Sequence, residues 1–206
     1  MTPAARTAAA IELLAAAEAA PRRPADAVAN DFFRARRYIG SGDRRAVSAR
    51  AWAVLRARRR LGWWLGELGL LPEPPLLVAA SLLLEGWQIG GIAQVFSGGR
   101  HAPPRLPEAA LAALARLEGA RIDHPGMPEP VRLEVPDFLL PLLRARFGAA
   151  LEAELAAMAG EAPLDLRVNT LKADRAAVQA ALATEGIETE LTPLSPWGLR
   201  VAGRRP

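Results

Sequence analysis

The sequence predicts a mainly α protein, a helical bundle followed by a small α/β subdomain of strand–helix–strand order. Two observations carry that prediction. Hydrophobic residues make up 51% of the 206 positions but aromatics only 5%, with Ala and Leu supplying most of the apolar content, a balance that favours helix. Apolar residues recur at helical spacing in proline-bounded stretches as far as Pro163, where the period changes to the alternation of strands. The expected divisions are residues 1–122, all helical; 123–162, a joint with connecting helices; and 163–206, the α/β subdomain. That last piece has three short strands and an uncovered sheet edge, and something is expected to continue it.

Ile11, Leu13 and Leu14 among alanines predict a first helix over 4–20, stopped by Pro21. Pro24 opens a second through Val28, Phe32 and Phe33. YIGSGD, residues 38–43, reads as a loop whose Ser41 and Asp43 are candidate caps for one long helix over 44–68. Its apolar positions Val47, Trp52, Val54, Leu55, Leu61, Trp64 and Leu65 keep helical spacing. Pro72, Pro74 and Pro75 end it and start a nearly all-apolar helix over 75–89, expected at the centre of the bundle. A further helix covers 107–119, HPGMPEPVRLEVP at 124–136 is a proline-rich joint, and two helices follow over 136–160. LDLRVNT (164–170) alternates as a strand, Asp174 caps a helix that stops at Gly186, and IETELTP (187–193) and WGLRVAG (197–203) read as two more strands.

Composition excludes several classes. There is no cysteine, hence no disulfide, thiolate metal site or cysteine nucleophile in this chain. Apolar runs fall short of the ~20 residues a membrane helix needs, and Glu12 and Glu18 interrupt the first helix, which reads as amphipathic and not as a signal peptide. The expected setting is cytoplasmic, with no membrane partner. His101 and His124 stand in separate loops without a carboxylate at ligand spacing, so no metal is expected. Glu12, Glu85 and Glu134 lie on separate elements and form no acid–base pair in sequence, and no glycine-rich phosphate loop follows a strand.

Charge is the informative property. The formal net charge is +4, and of 26 basic residues only Lys172 is not arginine. Between Arg34 and Arg60 stand ten arginines against a single acid, Asp43, so the remainder of the chain is net acidic. A GC-rich codon bias explains abundant arginine but not this segregation. Two readings stay open: a stripe that grips backbone phosphate, or a solvated face whose arginine stems cover apolar surface. On the first reading the candidate RNA-binding residues are Arg36, Arg37, Arg44, Arg45, Arg56, Arg59 and Arg60. Trp63 and Trp64 are core positions first and base-stacking platforms second. Arg167 and Asn169 share a face of the strand at 164–170; they suit phosphate and sugar contacts, or a turn that launches the next helix.

PDFLLPLLRARFG, a helix ending in Ala-Met-Ala, and then LRVNTLK resemble, in that order, the segment ahead of the catalytic domain in the RsmB/Sun family of RNA cytosine-5 methyltransferases. DRRAVSARAWAVLRARRRLGWWL, residues 43–65, is similar to the long helix of the NusB-like RNA-binding domain fused to many members. The resemblance implies a NusB-like bundle, an RNA substrate, ribosomal RNA above all, and S-adenosylmethionine as the cofactor of the parent protein. The family's cofactor loop and paired cysteines have no counterpart here, so no catalytic and no cofactor-binding residue is carried over, and this chain by itself is expected to be inactive and to await a C-terminal methyltransferase domain. Two rivals remain: a stand-alone NusB-like RNA- or protein-binding module without enzymatic activity, and a helical domain whose arginines meet an acidic protein.

Overall fold

A computed structural model describes residues 1–160 and 162–202. Two compact units emerge, Met1–Gly148 and Ala149–Pro206. Gly203, the last residue of the expected third strand, lies outside the described residues with the three that follow it. The molecule is mainly α with a small α/β part.

The first unit carries α1 (Pro3–Glu18), α2 (Ala25–Ala35), α3 (Ser41–Arg56), α4 (Arg58–Glu67), α5 (Pro74–Leu84), α6 (Ile89–Val95), α7 (Glu108–Leu114), α8 (Glu129–Arg132) and α9 (Leu140–Phe147). Thr2 opens α1, its hydroxyl accepting from the Ala5 amide at 3.1 Å. Every residue of α5 from Leu77 to Leu83 is buried, and the helix touches α1, α3, α4, α6 and α7. It is the axis of the bundle, as its continuous apolar run predicts. The run stops earlier than the expected residue 89, because Gly86 takes φ +99° and the Trp87 amide turns back onto the Leu82 carbonyl at 3.1 Å.

One expectation fails outright. The predicted single helix over 44–68 is two helices, broken at Ala57 (φ −115°, ψ 19°). A break orphans the first amides of the new helix. Those of Arg59 and Arg60 are taken by the two carboxylate oxygens of Glu134, each at 2.9 Å, and Arg60 Nε adds a third bond to Glu134 at 3.0 Å. The acid comes from 74 residues further along the chain. Periodicity has no access to such a cap. Glu134 itself sits at φ +54°, the one described non-glycine residue with positive φ, a conformation costing about 1–3 kcal/mol that the three bonds offset.

The caps expected for α3 also differ. Gly40 is the N-cap and makes no side-chain bond, while Asp43 accepts from the Met1 ammonium at 3.0 Å and Arg6 Nε at 2.7 Å. Two cations outbid a backbone amide for that carboxylate. Between α3 and α5, Arg50 donates twice to Glu85, at 2.6 and 2.8 Å, and once to the buried Ser81 hydroxyl at 2.9 Å. Ser81 in turn donates to Glu85 at 2.9 Å. Burial pushes the Glu85 carboxyl up, but the Arg50 and Ser81 bonds outweigh it and hold it below its ordinary value of 4.5.

The second unit holds α10 (Leu151–Ala159), β1 (Asp165–Arg167), α11 (Arg175–Thr184), β2 (Thr189–Leu191) and β3 (Gly198–Val201). The sheet is antiparallel, in the order β1-β3-β2, with Leu166 opposite Leu199 and Leu191 opposite Leu199 on the other side. Leu199 is fully buried, with Val168 and Val201 nearly so. β1 is shorter than predicted because Asn169 starts a turn, its side-chain oxygen accepting from the Leu171 amide at 3.2 Å. Asp174 caps α11 through the Ala177 amide at 2.7 Å, as its position in the sequence predicts. Gly198 is required for space, since a Cβ there would collide with the side chains of Thr192 and Ser195.

Two outcomes follow. Glu134→Ala leaves two helix amides and Arg60 Nε without their acceptor and is expected to lower unfolding free energy by about 1–3 kcal/mol in urea titration, with Glu134→Gln intermediate. The Glu85 contribution has the sign of a depressed carboxyl: complete above 4.5 and lost as pH falls through the lower folded value. Urea midpoints of wild type and Glu85→Gln should therefore differ most at about pH 7 and draw together as the pH falls below 4.5; a gap that stays constant as the pH falls contradicts the assignment.

Candidate nucleic-acid interface

The arginines that cluster in sequence meet acids in space. Arg36 pairs with Glu12 at 3.0 Å, Arg50 with Glu85, Arg58 with Glu18 at 2.7 Å and Arg59 with Asp137 at 2.8 Å. Arg60 bridges Asp123 at 2.9 Å and Glu134 at 3.0 Å. Burial opposes the charge of Arg60, and its bonds to Asp123 and Glu134 outweigh that and hold its pKa above the ordinary arginine value. Arg56, exposed at the end of α3, also interacts within the fold. The segregated charge of residues 34–60 is thus largely answered by the acids of the rest of the chain.

Two of the candidates stand apart. Arg37 and Arg45 are exposed and, among the described residues, have no ion-pair partner. Arg37 lines a concavity of about 610 Å³ with Asn30, Phe33, Arg34 and Arg44. The C-terminal half of α2 supplies Asn30, Phe33 and Arg34; the loop between α2 and α3 supplies Arg37; the first turn of α3 supplies Arg44. Arg44 is fixed by its Nε, which donates to the Ile39 carbonyl at 2.7 Å, with its guanidinium 6.0 Å from the Phe33 ring. Arg34 leans on Asp31 at 3.3 Å, a long and exposed pair of small weight. The groove brings together three guanidiniums and an amide over an aromatic edge, a donor set for phosphate oxygens.

Asn30 and Arg34 were not singled out from sequence. The helical period alone puts Asn30, Phe33 and Arg34 on one face of α2, and that signal was available, whereas Arg37 joins them from the loop. Trp63 and Trp64 are half-buried: they meet edge to face at 5.0 Å, Trp63 stacks on His124 at 5.2 Å, and Trp64 Nε1 donates to the Ile122 carbonyl at 3.0 Å. In the second unit Arg167 and Asn169 are exposed. Arg167 borders a cavity of about 290 Å³ with Asp165, Thr192, Ser195 and Arg200, where Arg200 grips Asp165 at 2.7 and 2.8 Å. No group of acids and histidines placed to hold a metal occurs among the described residues, and none of the described helices is long and apolar enough to cross a membrane.

Residues 135–206 match the methyltransferase RsmF/B-like, ferredoxin-like domain. The crystal structure of PH0851 shares the fold at a TM-score of 0.59 and 18% identity, covering 99% of this chain and 49% of that one. The chain therefore spans about half the length of PH0851. No curated protein matches the sequence. The β1-β3-β2 order with its single crossover helix agrees with the domain match, and the RsmB/Sun resemblance of LRVNTLK falls inside the matched segment. Over residues 135–206 the chain is thus similar to the ferredoxin-like domain of RsmF/RsmB-like methyltransferases.

Proposed function

We propose that this chain is the RNA-recognition portion of an S-adenosylmethionine-dependent RNA cytosine-5 methyltransferase that works in the cytoplasm on ribosomal RNA. Its first unit is a NusB-like bundle that grips RNA backbone, and Arg167 and Asn169 of its second unit lie beside the target strand. The observation that carries the reading is the domain match at 135–206 on a chain whose first unit presents an arginine-lined groove. PH0851 supports it by carrying the same fold within a chain about twice as long.

The residues present do not fit S-adenosylmethionine. β1 passes to α11 through residues 168–174, a turn without glycine, and the α11 amide end is already occupied by the Asp174 carboxylate, which repels a second anion. No cysteine is available as a nucleophile. Methyl transfer is therefore assigned to another domain of the parent protein, and this chain contributes binding and orientation. The purified chain with labelled S-adenosylmethionine and ribosomal RNA should transfer no label; transfer by the chain would overturn this division of labour.

Within the arginine set, Arg37 and Arg45 have the most charge to spare, while Arg36, Arg59 and Arg60 hold acids of the fold. Phosphate contact by both predicts that Arg37→Glu/Arg45→Glu reduces the slope of log affinity against log salt by about 1.4–1.8. Unrelated RNAs should weaken alike, since phosphate carries no sequence. Arg167→Ala should weaken the cognate RNA more than a random one. Salt titrations of RNA affinity decide; unchanged slopes would leave these arginines a solvated face.

A further inference from the structure

Phosphate is only half of what the loop between α2 and α3 presents. Tyr38, beside Arg37, is the single tyrosine of the chain and is 75% exposed. It forms one wall of a second concavity, about 490 Å³, whose floor is the alanine face of α1 (Ala5, Ala8, Ala9) and whose other walls include Glu12, Arg100 and His101. That volume lies within the about 300–1,000 Å³ of small-molecule clefts. The lining pairs an apolar floor with an aromatic face, a cation, an imidazole and a carboxylate, which is the mixture a planar heterocycle needs: surface to stack on and polar groups for its edge.

The loop is held stiffly between the two concavities. Arg36 donates to Glu12 of α1 at 3.0 Å and lies over the Phe32 ring of α2 at 3.8 Å, pinning the backbone on both sides. Ile39 is fully buried and its carbonyl holds Arg44. Residues 37 and 38 then face different tasks although their Cα atoms are only ~3.8 Å apart. Arg37 belongs to the groove with Arg34 and Arg44, and Tyr38 to the pocket with Arg100 and His101. A phosphate in the first and a base in the second would be held by consecutive residues of one loop. A base within a duplex is hidden in its stack, so only an unpaired one enters.

We infer that residues 36–40 form a reader of single-stranded RNA, in which the groove of Asn30, Arg34, Arg37 and Arg44 takes a phosphate and Tyr38 stacks an unpaired base in the adjoining pocket. This rests on the RNA-binding reading above and adds to it a strand preference and a base-stacking residue. Loss of one stacked base from a single-strand site weakens binding about tenfold or more.

The test compares a mixed-sequence single-stranded oligoribonucleotide with a duplex of the same length, at one salt concentration, on the whole 206-residue chain. Tyr38→Ala should bind the single strand about tenfold less tightly and the duplex unchanged, Tyr38→Phe should match wild type on both, and Arg34→Glu/Arg37→Glu should weaken both. Because the chain has one tyrosine, 3-fluorotyrosine labelling gives one fluorine resonance, expected to shift with single strand and not with duplex. Wild type that binds both RNAs equally, with Tyr38→Ala unaffected and the resonance unmoved, overturns the inference and leaves the RNA-binding reading intact. Wild type that binds neither overturns both.

Discussion

The Glu134 carboxylate determines where the bundle turns. Its side chain is only 15% exposed, and it accepts from two backbone amides and one guanidinium. A carboxylate so enclosed is tolerated only because every acceptor position facing protein is answered. Because it seals the break at Ala57, α4 is free to leave the axis of α3 and carry Trp63 and Trp64 against His124 and the Ile122 carbonyl. The same carboxylate ties the proline-rich stretch after residue 124 to the bundle, so a segment that reads as a loose joint is anchored at its far end.

Arginine serves two purposes in this chain, and sequence alone does not separate them. Arg50 sits in a closed network with Ser81 and Glu85, and Arg60 joins two acids at a covered position; both are structural ties whose rupture strands a partner. Arg37 and Arg45 carry charge outward, alongside the rim residues Arg34 and Arg44. The run of ten arginines is thus a mixture in which the paired members give the unpaired ones a rigid platform.

Much of the fold is legible because it is local. Prolines 21, 24, 72, 74 and 75 punctuate the helices, Gly186 and Asp174 bracket α11, and the change of period at Pro163 marks the strands. What local pattern does not carry depends on partners far along the chain: the α3–α4 break needs Glu134, and the loss of Asp43 as a cap needs Met1 and Arg6. The charge pattern was legible as segregation, but its neutralisation was not, since Glu12, Glu18, Asp123 and Asp137 reach the arginines only through tertiary packing. Tyr38 carries no signal in the sequence for a related reason: a lone loop aromatic acquires meaning only when α1 and residues 100–102 line a pocket with it.

Arg44 shows why lysine could not replace arginine at the head of α3. Its Nε is committed to the Ile39 carbonyl, an internal strut that sets the height of the loop. The two terminal nitrogens, on the same rigid plane, have no other partner among the described residues and border the groove. One side chain therefore both braces the loop at the fully buried Ile39 and lines the groove. An ammonium, with one nitrogen, has to choose between these posts.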